Sequence, residues 1–109
     1  MKRIKTSEEW LEILEQSREQ PLLILKFSMT CVSSISALKE FKALNTALPK
    51  YLVLVQIERD VSNAIARDLG VKHESPQLLI LKEGKAIWQA THYKVKRSLL
   101  AEAINTYVL

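Results

Sequence analysis

An α/β fold, a mixed sheet of four or five strands with helices on both faces, is what the sequence predicts, on three observations. Two short continuous apolar runs, residues 22 to 27 and 51 to 57, have the composition of strands buried on both sides. Each is followed by a stretch whose apolar residues recur at helical steps, the pattern of parallel crossover units. A third run, "QLLILKEGKAIWQA", holds two strand-like halves joined by Glu83 and Gly84, a turn length and composition that predict a hairpin.

The elements follow in order. Residues 2 to 5 can add a short edge strand. Between Thr6 and Ser17, apolar Trp10, Leu11, Ile13 and Leu14 share one helical face, and Thr6 with Glu9 makes a capping box. After Pro21 comes the first long strand, and then Ile35, Leu38, Phe41, Leu44 and Leu48 mark a second helix stopping before Pro49. "YLVLVQI" has the β-branched and aromatic content of an interior strand, interrupted only by Gln56. Asp60 or Ser62 can cap a third helix whose apolar positions Val61, Ile65 and Leu69 lead to Gly70, suited to a left-handed C-terminus. Beyond the hairpin, Leu99, Leu100, Ala103, Ile104 and Tyr107 give the closing helix an apolar stripe from Val95 onward.

Composition narrows the function classes. A length of 109 residues suits one domain, residues 1 to 109, and 48% apolar residues with two glycines and three prolines argue against disorder. The net charge of +4 comes from sixteen Lys and Arg interleaved with twelve Asp and Glu, without the basic stripe that nucleic acid requires. "MKRIKTSEEW" lacks the apolar run of a signal peptide and no later run has the length of a membrane span, so a cytoplasmic protein with no membrane partner is expected. No Cys and His pair sits at zinc-ligand spacing, so no metal is expected, and two glycines leave no phosphate loop. A monomer is expected.

Cys31 is the only cysteine, set in the run "SMTCVSSI". It falls where the first long strand ends and the second helix begins, and in such sheets chemistry gathers at the carboxyl ends of strands. Unpaired N–H groups and the positive end of the helix dipole favour the thiolate there. Ser34, one helical turn on, can donate a hydrogen bond to the sulfur, as can Ser33 or Thr30 depending on rotamer. A Cys-x-x-Ser site can attack a disulfide and hold the mixed product, but it needs a second thiol from solution to release it. The bland reading is that free cysteines are often buried and simply pack. Pro76, immediately before a strand in "HESPQLLILKEGK", is the second clue. Proline is tolerated at a first strand position or with a cis bond, and a cis Ser75–Pro76 bond would turn the Ser75 backbone toward the start of the second helix, where an extended substrate could pair with it.

These residues resemble the thioredoxin superfamily: a lone Cys-x-x-Ser at a strand-to-helix junction, a pre-strand proline, then a hairpin. "LKFSMTCVSSISALKEF", "VQIERDVSNAIA" and above all "VKHESPQ" are more closely similar, over nearly the whole chain, to the YtxJ-type monothiol bacilliredoxins. The resemblance implies a thioredoxin-like three-layer α/β/α fold, no bound cofactor, bacillithiol as co-substrate and S-bacillithiolated proteins as partners. It implies Cys31 as nucleophile, Ser34 as its serine and Pro76 as a cis-proline. One departure stands out: the family reads Thr-Cys-Pro-Ile-Ser, whereas Val32 follows Cys31 here, restoring an N–H and some freedom at the first helical position.

Other residues have weaker claims. Thr30 and Ser75 flank the expected substrate groove, and His73 could supply positive charge near a bound thiol, although a solvated loop explains it equally. Arg59 could meet a ligand anion, while helix capping by Asp60 and a surface ion pair explain Glu58, Arg59 and Asp60 more simply. Trp10 and Trp88 belong to strongly patterned elements and are expected to pack. Two other functions fit parts of the pattern: a protein-binding module with an inert thiol, and an iron–sulfur carrier sharing a cluster between two chains. Such carriers read Cys-Gly-Phe-Ser, which "CVSS" does not match.

Overall fold

The computed structural model describes residues 1–108. Five strands form one sheet in the order β1-β3-β2-β4-β5: β1 (Lys2–Arg3), β2 (Leu22–Phe27), β3 (Lys50–Leu54), β4 (Gln77–Lys82) and β5 (Lys85–Thr91). β1, β3 and β2 run parallel, β4 runs antiparallel to β2, and β5 runs antiparallel to β4, so that β4 alone is reversed in the sheet. Four helices cover the two faces: α1 (Ser7–Gln16), α2 (Val32–Ala43), α3 (Arg59–Leu69) and α4 (Arg97–Tyr107).

The alternation of side chains along β2 builds two cores. Leu23, Leu25 and Phe27 face α2 and α4, meeting Phe41, Leu78, Ile80, Leu100 and Ile104. Leu22 and Ile24 face α1 and α3, meeting Trp10, Ile13, Ile65, Leu79 and Leu81. Every residue of β2 is buried, as its apolar run predicts, Lys26 included.

Local chemistry sets the boundaries. Thr6 caps α1 by accepting from the Glu9 N–H at 3.1 Å; the Glu9 carboxylate returns to the Lys5 N–H at 3.0 Å, one residue earlier than a capping box requires. α2 stops at Ala43, a turn short of the expected end, because Leu44 turns extended and Lys50 Nζ takes the Phe41 and Leu44 carbonyls. Leu44 and Leu48 still join the core, from outside the helix. β3 stops at Leu54 instead of Ile57, because Glu58 folds back over the strand end: its N–H donates to the Leu54 carbonyl at 2.7 Å and its carboxylate accepts from the Leu54 N–H at 2.8 Å. Glu58 therefore occupies the N-cap of α3, displacing the expected caps Asp60 and Ser62. Gly70 ends α3 at φ +63°, the left-handed conformation the sequence anticipates.

Glu83 and Gly84 both take positive φ, 55° and 75°, the geometry of a tight hairpin turn. Residues 92 to 94 make a 3-10 turn, so α4 begins two residues after the buried Val95. The first free N–H of α4, at Arg97, is taken by the Glu40 carboxylate at 2.8 Å, tying α4 to α2.

Candidate functional site

Cys31 occupies the N-cap of α2, with its sulfur partly exposed. Of the three hydroxyls in reach of the sulfur, Ser33 makes the contact, Oγ to Sγ at 2.9 Å. That hydrogen bond is the chief cause holding the Cys31 thiol below its ordinary pKa; the Ser34 backbone N–H is the second. The Ser34 N–H has its own hydrogen bond to the Cys31 carbonyl at 3.0 Å, so it acts on the sulfur as a nearby oriented dipole. The fully buried Ser34 hydroxyl accepts from the Ser28 N–H at 3.0 Å and pins the loop before Cys31 to the helix after it. The serine of the Cys-x-x-Ser pattern thus braces the turn, and its neighbour meets the thiol.

A serine-to-alanine change separates the two roles. In Ser33→Ala, the pH of half-maximal Cys31 alkylation by iodoacetamide is expected to rise, because the thiolate loses its main donor while the Ser34 brace stays. An unshifted profile would show that Ser33 does not tune the thiol.

The loop entering Cys31 is held from β3's side. Gln56 Oε1 accepts from the Met29 N–H at 2.7 Å and Gln56 Nε2 donates to Thr30 Oγ1 at 3.2 Å. Thr30, expected as a substrate contact, therefore spends its hydroxyl on Gln56 and Ser28. The lone polar residue in "YLVLVQI" marked this contact, but only the fold shows its target.

Pairing of Lys26 with Gln77 sets Pro76 beside the Phe27 end of β2, where the chain turns toward Cys31. The Ser75–Pro76 bond is cis, as the resemblance implies, and the Pro76 carbonyl accepts from the His92 N–H at 3.0 Å. The Ser75 hydroxyl is buried without a hydrogen-bond partner among the described residues. His73 is an exposed loop residue, as the plainer reading has it, but its ring meets the core: Lys26 Nζ lies 2.8 Å from its Nδ1, and partial desolvation together with the charges of Lys26 and Arg59 pushes its pKa down. Lys26 is the residue that sequence reasoning passed over, because it sits inside an otherwise unbroken apolar run.

Large apolar side chains stay exposed around the thiol. Val32 and Ile35 lie on the first turn of α2, Met29 in the preceding loop, Ile57 next to the bridging Gln56, and Tyr93 next to the His92 that binds Pro76. Ile35 was expected in the core; the inward face of this first turn is instead formed by Ser33 and Ser34. Glu58, buried, pairs with Arg3, which leaves Arg59 exposed at the mouth of the same turn. Trp10 packs as expected, with its indole N–H donating to Asp68 at 2.8 Å.

A family model described as monothiol bacilliredoxin BrxC matches residues 2–100. Among solved structures, a candidate oxidoreductase with a thioredoxin fold is 31% identical, with a TM-score of 0.85 over 93% of this chain and 90% of its own. Reduced thioredoxin pre-protein from Schistosoma mansoni is 16% identical, with a TM-score of 0.77 over 98% of this chain and 97% of its own. Thioredoxin from Fasciola hepatica is 15% identical, with a TM-score of 0.76 over 98% and 99%. The two thioredoxins share the fold with this chain; the family match and the 31% relative reach further.

Proposed function

This chain belongs to the monothiol bacilliredoxin family, a thioredoxin-fold family of thiol oxidoreductase type, and from that premise we propose that Cys31 removes bacillithiol from protein mixed disulfides. The observation that carries the reading is the placement of the chain's one cysteine: partly exposed at the start of α2, hydrogen-bonded to Ser33, with its pKa lowered.

The reaction runs in two exchanges. The Cys31 thiolate attacks the bacillithiol sulfur of the mixed disulfide; a new S–S bond joins Cys31 to bacillithiol, and the substrate cysteine leaves as a thiolate. With no second cysteine in the chain, the adduct waits for an external thiol, which attacks it, takes bacillithiol away as a disulfide and returns Cys31 as thiolate. The protein needs no resident cofactor for either step. Cys31 and Ser33 handle the charge, Ser34 holds the turn, and the Ser75 edge beside Pro76 receives the substrate backbone. The exposed apolar side chains around the thiol favour a protein as the bulky partner of the disulfide, encountered in the cytoplasm.

Intact mass after mixing reduced protein with bacillithiol disulfide, with glutathione disulfide in parallel, tests the reading. A single adduct on Cys31, formed faster with bacillithiol and reversed by added thiol, is expected. A folded protein whose Cys31 resists both disulfides would overturn it and leave a docking module whose thiol is inert.

A further inference from the structure

Lys26 is fully buried yet has no carboxylate partner among the described residues. Its Nζ reaches the Ser62 carbonyl of α3 at 3.3 Å and His73 Nδ1 at 2.8 Å, and Ser62 Oγ lies 3.1 Å from the same nitrogen. An ammonium can only donate, so His73 must accept at Nδ1 and carry its proton on Nε2. Gln77, directly across the ladder from Lys26 and equally buried, donates from Nε2 to the Lys72 carbonyl at 3.0 Å. One rung of the sheet thus sends polar side chains from two adjacent strands into one irregular segment, residues 71 to 76, which leads into Pro76.

An apolar residue in place of Lys26 would fill the space without the cost of burying a charge, and such replacements are often neutral or stabilising. Fold stability gives this lysine no reason to be charged; its contact with His73 does.

We propose that Lys26 and His73 are positioning residues, a proton-responsive staple that holds segment 71–76, and with it the Ser75 edge, in place for a substrate strand. Protonating His73 removes the acceptor and sets a second cation against Lys26, so the staple opens in acid. Lys26 from β2, Arg59 from α3 and Glu74 from the segment itself set the charge around the imidazole; the two cations oppose its protonation and Glu74 favours it. With desolvation, the balance keeps His73 neutral below 6.5, the ordinary imidazole value, while burial lowers Lys26 to about 8. The part concerning substrate rests on the proposed function; the staple does not.

The test pairs an activity ratio with a signal independent of activity. The rate of exchange with a bacillithiolated protein, divided by the rate of iodoacetamide alkylation, cancels the thiolate fraction of Cys31 and reports the edge alone. In the wild type this ratio should fall as pH drops below 6.5. Lys26→Met should lower it on the order of tenfold at neutral pH. His73→Asn, which keeps an acceptor near Nδ1 but cannot titrate, should hold the ratio and flatten its pH profile. NMR titration of the His73 ring should give a midpoint that rises in Lys26→Met, and the amides of segment 71–76 should lose exchange protection in that variant. An unmoved His73 titration and unchanged protection in folded Lys26→Met, or an exchange-to-alkylation ratio in folded His73→Asn that still falls in acid as the wild type's does, would overturn the staple. Alkylation without any disulfide exchange in the wild type would overturn the functional reading, leaving the ring titration and amide protection to decide the staple.

Discussion

Replacing Cys31 with serine is expected to abolish every covalent adduct and all thiol–disulfide exchange while leaving the fold unchanged. A serine hydroxyl is not deprotonated at neutral pH and cannot form an S–S bond, and the chain holds no other cysteine to substitute. Stability should move little, because the sulfur is partly exposed and its one side-chain partner, Ser33, can bond a hydroxyl equally well. Intact mass with bacillithiol disulfide, together with a urea unfolding curve, reads both halves. Residual turnover in Cys31→Ser would mean that the activity does not belong to this thiol.

The second large effect concerns the platform under the thiol. Phe41 is fully buried on α2, packed into the core that β2 shares with α4, and Lys50 Nζ sits 5.5 Å from its ring centre while taking the Phe41 carbonyl. Truncation to alanine removes the ring and leaves a cavity in the layer that carries Cys31. The expected cost of Phe41→Ala is about 3–5 kcal/mol, against a total stability on the order of 5–15 kcal/mol for a domain of this kind. Urea denaturation should show a lower midpoint at an unchanged slope. A loss below about 1 kcal/mol would mean that this layer collapses around the gap and that α2 is not anchored through Phe41.

The three functional predictions, on Cys31, Ser33 and Lys26, probe different parts of one arrangement. Cys31 reacts at the surface, Ser33 sets its charge, and Lys26 acts from the buried face of β2 through the segment it holds. Each substitution therefore has its own signature: no adduct, a shifted alkylation profile, or a changed ratio of exchange to alkylation.

Much of this was legible in the sequence. Continuous apolar runs specified the buried strands, because a strand covered on both faces has no polar side to show. Gly84 specified the hairpin and Gly70 the end of α3, because positive φ costs little for glycine, which has no Cβ. The lone cysteine at a strand-to-helix junction and the proline before β4 located the candidate site, since helix start and strand start are local features.

What tertiary structure alone decided are the partners of polar side chains across the chain. Ser33 and Ser34 are neighbours of the same type, and only the path of the preceding loop assigns one hydroxyl to the sulfur and the other to the Ser28 N–H. Ile35 fits the helical stripe of α2, yet it faces solvent because the two serines take the inward positions on that turn. Glu58 closes β3 against Arg3, 55 residues away, and Lys26 finds His73 at a separation of 47. Periodicity and propensity act over a few residues, whereas a buried polar group bonds whatever the fold brings within about 3 Å. The elements and the thiol could thus be read along the chain, and the groups that tune the thiol and hold its substrate edge could not.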